Sequence, residues 1–146
     1  MTAVVVDASV WVSRLIPADT HHAVSRVWLE QRALVGEPIV SPVLVLSEIT
    51  GAIARRIGKP EIAHQALAAI LRIPTLRLVE INRQLAQSAA QLAADYKLRG
   101  ADAIYVALAQ ELHLPLVTLD IEQRERVSTI VAAFAPTLND QEFSVR

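Results

Sequence analysis

The chain has 146 residues, enough for one domain with a sizeable core, and is read as a single domain over 1–146. Apolar residues make up 53% of it, yet no apolar run approaches the ~18 residues that cross a bilayer. Thr2-Ala3-Val4-Val5-Val6 runs straight into Asp7 without the basic stretch of a signal peptide, so no membrane is expected and the location is read as cytoplasmic. The absence of cysteine excludes disulfides, thiolate metal sites and a cysteine nucleophile. A net charge of −1 excludes nucleic-acid binding by bulk charge, so any such contact must be local. Twelve of the fourteen cations are arginine, whose planar fork suits phosphates and surface ion pairs alike.

Ala3 to Val6 is a short β-branched run, as expected of a strand buried on both faces. Ser9 to Ile16 continues as a short helix halted by Pro17, and Thr20 is placed to cap a helix from His21 to about Val35. Pro38 to Ser41 reads as a second strand. Val43 to Ile57 reads as a helix, with Val45, Ile49, Ile53 and Ile57 spaced by four and Gly58 at its end. Pro60 opens another helix through Leu71, and Leu76 to Ile81 alternates as a third strand. Asn82 caps a helix carrying Leu85, Ala89, Leu92 and Tyr96 on one stripe, and Ala101 to Leu112 is apolar nearly all round, as a buried helix is. Leu116 to Leu119 is a fourth strand, Ile121 to Arg126 a short helix and Thr129 to Val131 a fifth strand. Strands alternating with helices imply a parallel sheet covered on both faces, whose reactive crevice lies beyond the strands' carboxyl ends.

Four acids stand at the edges of this apolar framework: Asp7 after the first strand, Glu48 within a helix, Asp102 opening the buried helix and Asp120 after the fourth strand. Burying an unpaired carboxylate is costly, and no matching set of buried cations is evident, which points to a metal ion as the missing charge. Asp7, Asp102 and Asp120 also have an ordinary explanation as helix-start residues that satisfy free amides. Glu48 has none: it sits mid-helix on the flank of the buried stripe, where capping gains nothing. An all-oxygen donor set suits Mg²⁺ or Mn²⁺. The histidines make no zinc pattern, since His21 and His22 are adjacent while His64 and His113 stand alone.

Asp7 in Val-Val-Asp-Ala-Ser, Glu48 in a helix after the second strand, Gly100-Ala101-Asp102-Ala103 opening an apolar helix, and Thr118-Leu119-Asp120 after a late strand together resemble the PIN-domain ribonucleases. The layout is most similar to the VapC toxins of VapBC toxin–antitoxin systems, and the likeness runs along essentially the whole chain in order. It implies a three-layer α/β/α sandwich around a central, mainly parallel sheet. It further implies an Mg²⁺- or Mn²⁺-dependent endoribonuclease acting on RNA, usually a homodimer held inactive by a cognate antitoxin. Asp7, Glu48, Asp102 and Asp120 match the family's acidic quartet, with Asp7 and Asp102 as direct metal ligands and Glu48 and Asp120 binding directly or through water. Ser9 and Thr118 match hydroxyl residues that orient carboxylates or their waters. Residues 134–140 match no motif of the family.

For substrate, Arg55 and Lys59 share the Glu48 side of their helix and could guide a phosphate backbone, with Arg14 a further candidate; the alternative is that they soften acidic repulsion or meet solvent. Two other readings stand beside the toxin: a non-catalytic module of the same fold that binds RNA or protein, and a nuclease of RNA processing without an antitoxin. A phosphoaspartate phosphatase is disfavoured because Ser9 stands where a second Asp is needed, and nucleotide binding because no Gly-rich phosphate loop is present.

Overall fold

A computed structural model describes residues 2–138. The first strand, β1 (Val4–Val6), is wholly buried and leads into α1 (Ala8–Leu15) and α2 (His22–Leu34). Then follow β2 (Ile39–Pro42), α3 (Leu44–Ile57), α4 (Pro60–Leu71) and β3 (Leu76–Val79). The second half runs α5 (Arg83–Tyr96), α6 (Gly100–Leu112), β4 (Leu116–Val117), α7 (Ile121–Val127) and β5 (Ala133–Phe134). The five strands pair in parallel in the order β3-β2-β1-β4-β5. With the right-handed crossovers general to parallel strands, this order places α1–α4 on one face of the sheet and α5–α7 on the other, the expected three-layer α/β/α sandwich.

Local chemistry accounts for most element ends. Gly58 terminates α3 in the left-handed conformation at φ 76°, and its amide donates to the Ala54 carbonyl. Pro60 opens α4, and the Asn82 side chain accepts from the Leu85 amide at the start of α5. The core fills between the layers: Trp11 and Trp28 from α1 and α2, Val45, Ile49 and Ile53 from α3, and Tyr105, Val106, Leu108 and Ala109 from α6. At the sheet's amino end the buried Arg32 guanidinium lies over Trp28, pairs with Glu37 at 2.8 Å and donates to the Thr2 carbonyl.

Two expectations need correcting. Thr20 does not cap α2: His21 holds the cap position without a side-chain bond, and the Asp19 carboxylate takes the His21 amide at 2.9 Å. The fifth strand lies at Ala133–Phe134, not at Thr129–Val131, because the amides of Ile130 and Val131 both donate to the Val127 carbonyl and are spent closing α7. Only beyond that turn can the chain join β4, where Leu116 donates to Ala132 and Thr118 to Phe134. Of the segment 134–140, positions 139–140 lie outside the described residues.

The buried Ser41 hydroxyl donates to the Val6 carbonyl at 2.7 Å, tying the ends of β1 and β2 together beneath the carboxyl edge of the sheet. Ser41→Ala is expected to lower unfolding free energy by about 1 kcal/mol, read as a lower urea midpoint at unchanged slope.

Candidate active site

Strand order sets the location. From β1 the chain steps outward through β2 and β3, then returns to the other side of β1 as β4, so the crevice of the sheet falls between the carboxyl ends of β1 and β4. Asp7 leaves β1 with its amide donating to the Val117 carbonyl, and its side chain accepts from the Ser9 amide to cap α1. Across the crevice the Thr118 hydroxyl donates to Asp7 Oδ2 at 2.9 Å. Ser9 Oγ stands 3.3 Å from Thr118 Oγ1 and accepts from the Leu119 amide, while Thr118 Oγ1 accepts from the Asp120 amide. Ser9 and Thr118 thus lace β1 and β4 together around the first acid.

The other acids arrive on helices. Glu48 projects from α3, and the buried Tyr105 of α6 donates its hydroxyl to Glu48 Oε1 at 2.7 Å. Asp102 lies in the first turn of α6, and Asp120 caps α7 by accepting from the Gln123 amide. The capping reading therefore holds for Asp7 and Asp120, but it does not account for Glu48 or Asp102. All four acids, with Ser9 and Arg99, line one open depression of about 270 Å³. Arg99 spans its rim, with Nε 3.1 Å from Asp102 and Nη2 3.3 Å from Asp120.

Electrostatics at this depression are unfavourable to its own charges. Asp7 is only 5% exposed, and its pKa is raised by desolvation, against hydrogen bonds from Ser9 and Thr118, with Asp102 adding repulsion. Glu48 is raised by burial and by Asp7 and Asp102, opposed by Tyr105. Asp102 is raised by burial and by Asp120, opposed by Arg99. Burial next to Glu48 pushes the Tyr105 hydroxyl up as well, so it stays protonated and remains a donor. Arg99 relieves little of the repulsion, because its side chain is 81% exposed and solvent screens it.

The donors fit a hard divalent cation in kind, being carboxylates and hydroxyls around an under-neutralised depression. Their present arrangement is another matter. Among the described residues no group of three or more His, Asp or Glu side chains is disposed to hold an ion. Arg99 already occupies two of the four, reaching Oδ2 of Asp102 and Oδ2 of Asp120. A cation bound to Asp102 and Asp120 would compete with Arg99 for them.

The PIN domain family model matches residues 4–127, from β1 through α7, and the chain belongs to the PIN domain family. The fold is similar to that of Mycobacterium tuberculosis VapC20, a Sarcin-Ricin loop cleaving toxin, at 20% identity and a TM-score of 0.69 over 84% of this chain and 93% of that one. It is similar to VapBC2 from Rickettsia felis, solved bound to a DNA fragment from their promoter, at 16% identity and a TM-score of 0.69, covering 92% and 98% of the two chains. FitAcB from Neisseria gonorrhoeae is alike at 19% identity and a TM-score of 0.69, covering 91% and 97%. No curated protein is recognisably related in sequence.

Of the candidate cations only Arg55 lines the wider groove that adjoins the acids. Arg14 instead faces Glu30 of α2 at 3.6 Å, and Lys59 sits at the cap of α4 outside that groove. Sequence reasoning passed over Arg99, Tyr105 and Gln123, whose side-chain carbonyl stands 3.3 Å from Thr118 Oγ1. Arg99 and Tyr105 were open to discovery, since they lie three residues either side of Asp102, on its face of the helix. A tyrosine in so apolar a helix also needs a partner for its hydroxyl.

The raised pKa values fix the sign of a pH effect. Each folded value lies above the unfolded one, 3.8 for Asp and 4.5 for Glu, so these groups cost stability as pH climbs through the folded values and cost nothing below the unfolded ones. In EDTA at about pH 7, Asp7→Asn is expected to be more stable than wild type by on the order of 1 kcal/mol, with the gap closing towards about pH 4. Denaturant unfolding across that range checks it, and a variant less stable than wild type at neutral pH contradicts the assignment of burial as the dominant cause.

Proposed function

We propose that this chain is a divalent-metal-dependent endoribonuclease and the toxin of a toxin–antitoxin pair. The observation that carries the reading is the convergence of Asp7, Glu48, Asp102 and Asp120 on one depression at the crevice of a PIN-family fold. Three of these carboxylates have raised pKa values, a penalty that a structural role would not require. Asp7 and Asp102 are the residues to hold Mg²⁺ or Mn²⁺, with Glu48 and Asp120 completing the set directly or through water. When bound, the ion lowers the pKa of its water, orients attack on the phosphodiester and shields charge on the leaving oxygen.

The chain's own groups prepare that site. Thr118 and Ser9 hold Asp7 in one rotamer, so the first ligand needs no ordering. Tyr105, whose hydroxyl burial keeps protonated, fixes Glu48 Oε1 and leaves Glu48 Oε2 for other partners. Gln123 stands beside Thr118 from α7, its side-chain carbonyl 3.3 Å from Thr118 Oγ1. Arg99 is an exposed counter-charge with which a bound cation would compete for Asp102 and Asp120.

The partner half of the proposal draws on the likeness to VapBC2 and FitAcB, and on a toxin–antitoxin complex from Klebsiella pneumoniae of similar fold. Arg99 bridges Asp102 and Asp120, so an antitoxin arginine can take the same pair of carboxylates. Exposed apolar side chains such as Leu34, Val35, Leu71 and Leu112 offer surface for the antitoxin or for a second copy in a homodimer. A non-catalytic module is the weaker reading, since binding alone gains nothing from carboxylates that repel the phosphate backbone.

Purified protein is expected to cut a pool of structured RNAs in Mg²⁺ or Mn²⁺ and not in EDTA, with Asp7→Asn or Asp102→Asn slowing cleavage by about 100-fold or more. Metal-independent cutting that persists in both variants overturns the nuclease assignment. Separately, Arg99→Ala is expected to tighten Mn²⁺ binding about two- to fivefold by calorimetry, since a competing surface cation has gone. Weaker binding would show that Arg99 supports the ion's site instead of competing for it.

A further inference from the structure

Adjoining the acids is a larger open groove of about 700 Å³. Ser9, Glu48 and Asp120 line it, and so do His21, Arg55 and Arg56. The turn before α2 and the last turns of α3 form its walls, and the Asp19 carboxylate joins them by accepting from Arg56 Nη1 at 3.0 Å and from the His21 amide at 2.9 Å. Arg56 thereby has a fixed position while its side chain stays 45% exposed.

Arg55 carries a second, independent mark. A glycine in the interior of a helix is destabilising, and α3 has one at Gly51. A Cβ built there would meet a single neighbour within 4 Å, Arg55 Nη1 at 3.1 Å. Gly51 therefore leaves open the track along which the Arg55 guanidinium lies, one turn back along α3 towards Glu48. An arginine that only complemented the helix dipole would reach forward to the last carbonyls. This one is folded back into the groove.

We propose that this groove is a phosphate subsite for the RNA strand flanking the cleaved bond, with Arg55, lying back over Gly51, and Arg56, paired with Asp19, each contacting a backbone phosphate. The proposal rests on the ribonuclease reading. Neither arginine lines the depression shared by the four acids, so both are binding and positioning residues. Two guanidiniums in a groove that also holds Asp19, Glu48 and Asp120 attract a polyanion only locally, which agrees with a chain whose net charge is −1. The subsite reads backbone and not base edges, so it contributes affinity and register without sequence preference.

The test measures binding, by fluorescence anisotropy, of a labelled single-stranded RNA of randomised sequence to Asp7→Asn protein in Mg²⁺, which holds the strand uncut. Arg55→Ala and Arg56→Ala, added singly to that protein, should each weaken binding about fivefold. Each should also reduce the slope of log affinity against log salt by about 0.7, the loss of one single-strand phosphate contact. Arg72→Ala, at the opposite edge of the sheet, should change neither quantity. An unchanged slope in both arginine variants, while the Asp7→Asn protein binds RNA, overturns the subsite and leaves the nuclease reading standing. If that protein binds no RNA at all, the subsite falls, and cleavage of the RNA pool by wild type then decides separately whether the nuclease reading falls with it.

Discussion

The hydrogen bond from the Thr118 hydroxyl to Asp7 Oδ2 joins the two central strands where their carboxyl ends meet. It depends on β1 and β4 being neighbours, which the chain achieves only after laying down β2 and β3 and returning through α5 and α6. Once it is made, much else follows. Asp7 is fixed as the cap of α1, and Thr118 in turn accepts from the Asp120 amide, which places Asp120 as the cap of α7. Two helices and two acids are therefore referenced to one buried contact, and the depression inherits its shape from the best-packed part of the sheet.

The same burial gives the site its electrostatic character. Desolvation is the largest influence on Asp7, Glu48 and Asp102 alike, and each also feels another acid of the set. Hydrogen bonds from Thr118, Ser9 and Tyr105 offset part of this, and Arg99 a further part from its exposed position. What remains is a depression with a deficit of positive charge, set in a rigid frame. Local strain of this kind is tolerated because the surrounding sheet is strong enough to hold it. Arg99 is then the adjustable piece: its ion pairs are screened by solvent, so they are weak enough to exchange.

How far the sequence could be read depends on the range of the interaction involved. The strand at Val4–Val6, the Gly58 stop, Pro60 at the start of α4 and the Asn82 cap were all legible, because each follows from a few adjacent residues. Thr20 misled because α2 starts one residue later than expected, with His21 at the cap and its amide taken by Asp19, which pairs with Arg56, distant in sequence. The fifth strand misled because a β-branched run at Thr129–Val131 carries the right propensity, but the end of α7 takes its amides first. Among the cations, helical position alone put Arg55 and Lys59 on the Glu48 side of α3, yet it could not tell that only Arg55 folds back into the groove over Gly51.

The sequence by itself determined which residue types stand at the ends of apolar segments, and hence the α/β architecture, the four acids and the hydroxyls beside two of them. Those features are local, written in periodicity, turn chemistry and short motifs. Only the tertiary structure decided what meets what: Tyr105 with Glu48, Arg99 across Asp102 and Asp120, Arg14 drawn off to Glu30, and Arg56 joined to Asp19. The reason is that partners far apart in sequence are chosen by the strand order and the crossing of helices. A chain fixes those through its whole core at once, and no short window of residues contains them.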